Sequence, residues 1–285
     1  MRIVQISDTH INHRGGVTNK NFEALAAFIN DVLKPDVVVN TGDVAVLSPD
    51  SAEDRQTAWE YHKSIDAPVH VVPGNHDVGE PGATPWAGIS VTSERVAGFR
   101  GTFGADHWIE LLPGWALIGI NSEIMSSGLP EEAEQWEWLA TLPGLVGGRK
   151  AILFMHKPVW SPLDQEIEHQ IALPAAERDR LLEVLKPVTI AAVCSGHLHC
   201  YQAGNVDGVL TVSAPSAAFV HVGEGGTGFF PGLHQVGVVE LVCEDGKVRP
   251  YFRSVPGVIE SQPWREPEFA AAWNEIGAGP LPGSD

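Results

Sequence analysis

Short runs of branched apolar residues recur along the chain, and each run ends in a polar or glycine-containing loop. Such runs predict β-strands. In the first two thirds of the chain they cover Arg2–Ser7, Asp36–Thr41, Val69–Pro73, Ala116–Asn121, Ala151–Met155 and Thr189–Ser195. The stretches between them have helical spacing, as in Phe22, Leu25 and Ile29, and Pro35 marks where that helix ends. Alternating strands and helices indicate an α/β fold whose first strands are parallel.

The pattern changes towards the C-terminus, where strands follow one another across short turns. Val209–Ser213, Gln235–Val242 and Lys247–Arg253 are predicted strands, and the last two resemble an antiparallel hairpin. Since neither a repeat nor a linker divides the chain, we predict one domain over residues 1–255. Residues 256–285 are richer in Pro and Gly and are expected to form a tail with a short helix near Glu268–Glu275. This tail is expected to pack on the domain or on a partner subunit.

Two segments are expected to lie near a binding site. Val78–Pro113 has the least regular pattern in the chain, which predicts an irregular segment that caps or borders a site. The second segment, Ser213–His234, contains a glycine-rich stretch that we interpret as a loop. Neither segment contains a sequence motif that identifies a substrate.

The composition and the charge exclude several classes of protein. The chain has 285 residues, with 18 Lys and Arg against 36 Asp and Glu, so its net charge is −18. This acidic balance argues against a nucleic acid polymer or an anionic membrane as a partner, because both attract clustered Lys and Arg. Three cysteines cannot form a disulfide framework, and the N-terminus lacks a signal-peptide pattern. We therefore expect a cytoplasmic protein.

Side chains that can bind metals cluster where the predicted strands end. The motifs are Asp8-Thr9-His10, Gly42-Asp43, Gly74-Asn75-His76-Asp77, the single His156, and Gly196-His197-Leu198-His199. Consecutive motifs in the first third of the chain are about one strand–helix–strand unit apart. Parallel strands related in this way deliver their ends to one edge of a sheet, where ligands bind in α/β folds. Five separate stretches are therefore expected to converge on one point.

The residue types in these motifs suit metal ions. Imidazole, carboxylate and amide donors without thiolate favour Mn, Fe, Zn, Co or Ni over a structural zinc site. Asp8 and His10 are two residues apart, as are His197 and His199, and on extended backbone such pairs point to the same side. The glycines before the motifs are expected to allow sharp turns. Each motif alone also fits an ordinary loop, but their joint occurrence at strand ends favours a metal site.

Together the motifs resemble those of the calcineurin-like metallophosphoesterases, and they span Asp8 to His199. The resemblance implies a four-layer αββα sandwich of two mixed β-sheets flanked by helices, with two metal ions at the C-terminal ends of the strands. It implies that one metal is bound by Asp8, His10 and His199, the other by Asn75, His156 and His197, and that Asp43 bridges both. His76 would act as the catalytic acid beside the phosphate, and Asp77 would orient it. The metals would be Mn, Fe or Zn.

The motif details narrow the resemblance further. Val46 stands where purple acid phosphatases have an iron-binding tyrosine, and His156 is preceded by Met155 instead of a second histidine. The pattern is similar to the bacterial branch of class III cyclic-nucleotide phosphodiesterases and glycerophosphodiesterases. It implies hydrolysis of a small-molecule phosphodiester by a metal-bridging hydroxide. A broad phosphomonoesterase and a non-catalytic scaffold of the same fold are the alternatives. Lys157 could contact a phosphate or be solvated, and a homodimer or higher homo-oligomer is compatible with the sequence.

Overall fold

The first strand, β1 (Arg2–Ile6), lies inside the molecule and is buried on both faces beyond its first residue. Its side chains alternate, because successive residues of a strand point to opposite faces. Ile3 packs between the two sheets, whereas Val4 and Ile6 pack against the outer helices. Gln5, which is also buried, donates through Nε2 to the Ser195 carbonyl on the other sheet at 2.9 Å. The strand thus links both halves of the fold.

The structure is a computed structural model that describes residues 1–46, 48–82, 88–163, 171–222, 228 and 230–277. The remainder of the predicted tail, residues 278–285, lies outside the described residues, as do small parts of the predicted segments 78–113 and 213–234.

The first sheet has five strands in the order β11-β10-β1-β2-β3. Its further members are β2 (Val37–Asn40), β3 (Val69–Val71), β10 (Gly237–Glu244) and β11 (Lys247–Ser254). β1, β2 and β3 are parallel, while β10 runs antiparallel to β1 and forms a hairpin with β11. The sheet is therefore mixed, and its three parallel strands end at the same edge.

The second sheet has six strands in the order β4-β5-β6-β7-β9-β8. Its members are β4 (Trp108–Leu112), β5 (Trp115–Gly119), β6 (Lys150–Phe154), β7 (Thr189–Ser195), β8 (Gln202–Val206) and β9 (Val209–Ser213). β5, β6, β7 and β9 are parallel, and the edge strands β4 and β8 are antiparallel to their neighbours.

Helices flank the two sheets, and some of them lie at the sheet edge where the strands end. They are α1 (Val17–Phe28, continued by a π-turn to Leu33), α2 (Ala52–His62), α3 (Asn75–Val78), α4 (Ser93–Phe103), α5 (Pro130–Val146), α6 (Ala175–Val184) and α7 (Pro267–Ile276). One apolar cluster joins α1 to the first sheet, a second joins α5 and α6 to the second sheet, and a third fills the space between the sheets. The predicted four-layer αββα sandwich is confirmed.

Two predictions about individual segments need correction. Val78–Pro113 is not irregular throughout, because it contains α4 and the edge strand β4. Thr92 caps α4 by accepting a hydrogen bond from the Arg95 N–H at 3.3 Å, a start signal that the sequence does contain. β8 was also missed, since its small and polar residues do not have a strand pattern.

Among the described helices, none combines the length and the apolar character that a membrane crossing requires.

Candidate metal centre

The predicted ligands of both sheets meet at the ends of the strands. Asp8 and His10 follow β1, Asp43 follows β2, Asn75 begins α3 after β3, His156 follows β6, and His197 and His199 follow β7. His199 Nε2 lies 3.1 Å from Asp8 Oδ1 and 3.4 Å from His10 Nε2. On the other side, His156 Nε2 lies 3.3 Å from Asp43 Oδ2. The parallel topology therefore brings distant segments of the chain to one point.

These side chains form two overlapping groups that could each hold a metal ion. Asp8, His10, Asp43 and His199 form the first group, and Asp43, His156 and His197 form the second. Asp43 is common to both. Asn75 adjoins the second group, since its Oδ1 atom lies 3.1 Å from His156 Nε2. All seven predicted ligands are thus in or next to the cluster, and their assignment to individual metals stays a prediction.

Backbone carbonyls orient two of the imidazoles. His10 Nδ1 lies 2.9 Å from the Val46 carbonyl, and His156 Nδ1 lies 2.8 Å from the Thr41 carbonyl. Because a carbonyl only accepts, each Nδ1 carries the proton and each Nε2 faces the cluster. Partners of this kind fix the ring orientation of histidines that bind metals.

The backbone at the strand ends is unusual. Asp8, His10, Asp43, His197 and His199 all have positive φ, between 43° and 68°. Nine non-glycine residues in the described part of the chain have positive φ, so these five make up most of the set. Positive φ is uncommon for residues with a Cβ and concentrates at functional sites. The expectation that each motif pair lies on extended backbone is therefore wrong, because left-handed turns aim these side chains.

Two glycines are needed because backbone segments approach each other closely. A Cβ on Gly42, whose φ is +99°, would lie 2.7 Å from both Gly74 N and His156 Nδ1. A Cβ on Gly74 would lie 2.2 Å from Asp43 Oδ1. Gly74 itself has φ of −107°, so a lack of space and not its backbone angle requires glycine there. A side chain at position 74 would displace the carboxylate that the two groups share, and one at position 42 would displace the Gly74 backbone or the His156 ring.

The electrostatics of the cluster favour a positive ion between the carboxylates. Burial raises the pKa of Asp8, but the neighbouring His199 more than offsets this and the pKa falls to about 2. Burial likewise opposes ionisation of Asp43, yet His156 holds its pKa well below the usual range. Burial lowers the pKa of His156, whereas Asp43 raises it, to a final value of about 10. An imidazolium thus neutralises part of the negative charge, and a divalent cation could replace its proton.

One buried atom supports a metal at this point. Asp8 Oδ1 is buried and accepts no hydrogen bond within the described parts of the chain, although His199 lies next to it. Buried carboxylate oxygens normally have partners. The imidazole, carboxylate and amide donors present here suit Mn, Fe or Zn. The residues at the strand ends therefore fit a pair of divalent cations.

His76 and Asp77 occupy the first turn of α3. His76 Nε2 lies 3.7 Å from Asp43 Oδ2, and its side chain is 11% exposed. The Asp77 carboxylate accepts hydrogen bonds from the backbone N–H groups of Gly74, Val44 and Ala45 at 2.8 to 3.2 Å. Burial, followed by the charge of Asp43, raises the pKa of Asp77 to about 7. The described contacts of Asp77 thus join the loop after β2 to the loop after β3. Asp77 can influence the position of His76 through the first turn of α3, which carries both residues.

Lys157 is buried and paired with two carboxylates. Its side chain is 2% exposed, and its Nζ lies 3.1 Å from both Glu80 Oε1 and Glu123 Oε2. Burial lowers its pKa, but Glu123 and Glu80 more than compensate and raise it. Lys157 therefore holds three segments together directly after His156. The sequence left two alternatives for this lysine, and the ion pairs contradict the solvated one.

A cavity of about 290 Å³ opens onto the cluster. His10, Asp43, Asn75, His76, His197 and His199 line one side of it. The rest of the lining is largely aromatic and includes five residues, which we call the aromatic wall: Phe219, Phe230, Trp264, Phe269 and Trp273. Of the described residues of Val78–Pro113, Glu80 alone lines the cavity. The other predicted segment, Ser213–His234, contributes Phe219, His221 and Phe230 to the lining, and residues that follow β11 contribute the remaining aromatic rings.

Sequence reasoning missed the three wall residues that lie in the predicted tail. Phe269, Ala272 and Trp273 have the i, i+3, i+4 spacing of an apolar helix face, so the signal for a packed helix was present. Nothing in that spacing indicates which surface the helix covers. In the structure, α7 packs beside Val46 and Phe219, next to the metal ligands.

Comparisons with known proteins agree with this geometry. The family profile of calcineurin-like phosphoesterases matches residues 1–201. The probable glycerophosphodiester phosphodiesterase GpdQ of Arcobacter nitrofigilis is 30% identical over 230 residues, which cover 76% of this chain and 79% of that protein. A probable cyclic nucleotide phosphodiesterase of Rhodococcus erythropolis is 25% identical over 226 residues, 76% of this chain and 71% of that protein.

A third similar protein has a different activity in its name. The serine/threonine-protein phosphatase CPPED1 of Danio rerio is 27% identical over 187 residues, which cover 62% of this chain and 58% of that protein. The resemblance inferred from the motifs is confirmed by these matches.

Proposed function

Because the chain belongs to the calcineurin-like phosphoesterase family, and is therefore a metal-dependent phosphoester hydrolase, we propose that its substrate is a small phosphodiester. The observation that carries this proposal is the pair of metal-capable groups that share Asp43 at the base of the cavity. A substrate of cyclic-nucleotide or glycerophosphodiester type agrees with the names of the two relatives that cover more than two thirds of both sequences.

The charge of the centre explains how an acidic protein can bind a phosphate anion. Two divalent cations bring four positive charges, whereas Asp8 and Asp43 contribute two negative ones. The site is then positive, although the chain as a whole carries −18. The local field at the phosphate thus differs in sign from the net charge of the protein.

We propose that Asp8, His10 and His199 hold one cation, that Asn75, His156 and His197 hold the other, and that Asp43 bridges them. The overlap of the two groups at Asp43 supports this division. When bound, such cations lower the pKa of coordinated water from 15.7 towards 7 to 9 and so supply a nucleophile near neutral pH. Mn, Fe and Zn are the candidates.

His76 is proposed to donate a proton to the departing alcohol oxygen. It lines the cavity beside Asp43, and its ring centroid lies 5.0 Å from that of His10. A positioned general acid contributes roughly 10²–10⁴-fold to a rate. Asp77 is proposed to place His76 by fixing the turn that carries it.

Two alternatives remain to be separated from phosphodiester hydrolysis. A broad phosphomonoesterase would use the same metals, and one relative bears the name of a phosphatase. A non-catalytic scaffold would keep the fold without turnover, but the complete set of predicted ligands in this chain argues against it.

The test compares hydrolysis of bis-p-nitrophenyl phosphate with that of p-nitrophenyl phosphate. The protein is stripped with a chelator and reloaded with Mn, Fe or Zn. We expect metal-dependent turnover of both, with a higher kcat/KM for the diester. A preference for the monoester would favour the phosphatase, and no turnover with any of the metals would favour the scaffold. A screen of cyclic nucleotides and glycerophosphodiesters then identifies the natural class.

The setting and the assembly of the protein are further proposals. All three cysteines are free and buried, which agrees with a reducing, cytoplasmic environment. A homodimer or higher oligomer stays a prediction for measurement in solution.

A further inference from the structure

The aromatic wall has no role in the proposed chemistry, yet it forms a large part of the cavity. Its residues come from two regions, with Phe219 and Phe230 preceding β10 and Trp264, Phe269 and Trp273 following β11. Metal ligands and a general acid act on the phosphate. A phosphodiester also carries an alcohol group that is not released, and this group must lie somewhere in the cavity.

The ring of Phe219 joins the aromatic wall to the metal ligands. His10 stacks on Phe219 with a centroid distance of 4.8 Å, and Phe219 meets Phe269 edge-on at 6.0 Å. Phe269 in turn stacks on Trp273 at 6.1 Å. A row of rings therefore leads from the cluster into the wall, and its members are held in place by one another.

A second row reaches Trp264. His199 lies 5.7 Å from His221 between ring centroids, and His221 lies 5.5 Å from Trp264. Trp264 is half-buried, so part of its surface is exposed where it lines the cavity. Both rows start at a metal ligand and end at a tryptophan that lines the cavity.

Several contacts fix the C-terminal residues on the body of the domain. Asn21 donates through Nδ2 to the Ile259 carbonyl at 2.9 Å, and its Oδ1 accepts from the Ile259 N–H at 2.8 Å. The Val220 N–H donates to the Ser261 carbonyl at 2.9 Å, and the Glu268 carboxylate accepts from the Val17 N–H at 2.7 Å. The part of the tail that the structure describes thus packs on its own domain.

The charges around the cavity indicate which kind of group would bind to the aromatic wall. Such rings attract both flat aromatic groups and quaternary ammonium ions. The two carboxylates that line the cavity give a cation little added attraction, because Glu80 pairs with Lys157 and Asp43 belongs to the cluster. The loaded metal centre would also repel a cation. A neutral, flat aromatic group therefore fits the aromatic wall best.

We propose that the aromatic wall is a subsite for the retained alcohol of the substrate, and that it selects phosphodiesters whose retained alcohol carries an aryl group or a nucleobase. This proposal rests on the phosphodiesterase function proposed above. It assigns Trp264 and Trp273 the role of specificity-determining residues.

The test uses p-nitrophenyl phosphodiesters that share one leaving group and differ in the retained alcohol. The alcohols are methyl, cyclohexylmethyl, benzyl and 2-(trimethylammonio)ethyl. We expect the metal-loaded protein to hydrolyse the benzyl ester with a kcat/KM at least about fivefold above that of the methyl ester, since stacking on an aromatic side chain is worth at least this much. The cyclohexylmethyl ester should lie between them.

Two variants test the residues. Trp264→Ala should lower the benzyl-to-methyl ratio about five- to tenfold, and Trp264→Phe should keep most of it. Trp138→Ala serves as the matched control, because Trp138 packs on His107 and does not line the cavity. Trp273→Ala is compared in the same way once circular dichroism has shown that it folds. Equal rates for all esters, a preference for the ammonium ester, or an unchanged ratio in Trp264→Ala would overturn the proposal.

A binding measurement separates failure of the subsite from failure of the proposed function. Benzylphosphonate and methylphosphonate are titrated into the metal-loaded protein by calorimetry. If no diester is hydrolysed, yet benzylphosphonate binds more tightly and Trp264→Ala removes the difference, the phosphodiesterase function fails and the subsite stands. If diesters are hydrolysed and both phosphonates bind equally, the subsite is wrong.

Discussion

The two sides of the cavity are built in different ways. The side that carries the metal ligands consists of strand ends with positive φ and buried polar side chains, and the aromatic wall consists of apolar rings on loops and a short helix. Strand ends fix side chains through the backbone, so small errors there would misplace a ligand. A packed cluster of rings provides an apolar surface, and such a surface tolerates small shifts that a coordination geometry does not. The comparison suggests that the first side performs the chemistry and that the second selects the substrate.

The largest effect should come from the residue shared by both metal groups. Asp43→Asn removes the shared negative charge and should lower kcat/KM about 10³-fold, at the upper end of losses seen when a group that stabilises a transition state is removed. Metal content measured after dialysis should fall as well. Asp50→Asn is the control, because Asp50 is exposed and pairs with Arg95. Full activity in Asp43→Asn would show that the strand-end side does not carry the chemistry.

The next effect should depend on the leaving group. His76→Ala should lower kcat about 10²–10³-fold for a poor leaving group such as an alkoxide, and far less for p-nitrophenolate, which needs no proton. His70→Ala is a suitable control, since its ring pairs with Glu110 away from the cavity. An equal loss for both leaving groups would indicate that His76 acts in metal binding and not as an acid.

The stability of the strand-end side of the cavity, which carries the metal ligands, should also depend on pH through His62. Its Nδ1–H donates to the Ala58 carbonyl at 2.7 Å, and its Nε2 accepts from Asn40, whose Oδ1 accepts from the Gly42 N–H. Burial lowers the pKa of His62 to about 4. Between pH 6.5 and 4 the unfolded chain therefore binds one more proton at this residue than the folded chain, and stability falls as the pH falls.

The full effect corresponds to about 3 kcal/mol of unfolding free energy. This stability is complete above pH 6.5 and is lost towards pH 4. Urea unfolding at several pH values should show a weaker pH dependence for His62→Gln than for the wild type over this range. Identical slopes would mean that His62 is protonated in the folded protein and does not support the Asn40–Gly42 contact.

The smallest effect concerns the attachment of the wall. Arg14 pairs with Glu275 at the end of α7, and the Glu275 side chain is largely exposed. Because exposed ion pairs are worth about 0–1 kcal/mol, Arg14→Ala should change the unfolding free energy by less than about 1 kcal/mol. Lys186→Ala, which breaks the exposed pair with Glu183, gives the reference value. A clearly larger loss would show that charge and not packing holds the wall in place.

The strand-end side could be predicted from the sequence because each of its motifs directly follows an apolar strand. Topology rules then bring these ends together without any knowledge of side-chain packing. The φ angles of Asp8 and Asp43 could not be predicted, since they follow from contacts between segments that are distant in sequence. For the same reason Gly74 was expected to serve a sharp turn, whereas the structure uses it to make room for Asp43.

The wall could not be predicted because tertiary packing alone decides where α7 lies. Its apolar face could be recognised from Phe269 and Trp273, but the surface that it covers is formed by Val46 and Phe219. Lys157 illustrates the same limit. A lysine after a buried strand is expected to be solvated, and only Glu80 and Glu123, which are far away in sequence, explain why it is buried.

The order of the two sides along the chain has a consequence for biosynthesis. All seven predicted metal ligands precede Trp264 and α7 in sequence, and ribosomes make proteins from the N-terminus onwards. The nascent chain thus has its full set of ligands before the residues that close one side of the cavity have been made. Cations could then enter from a face that α7 covers in the finished protein.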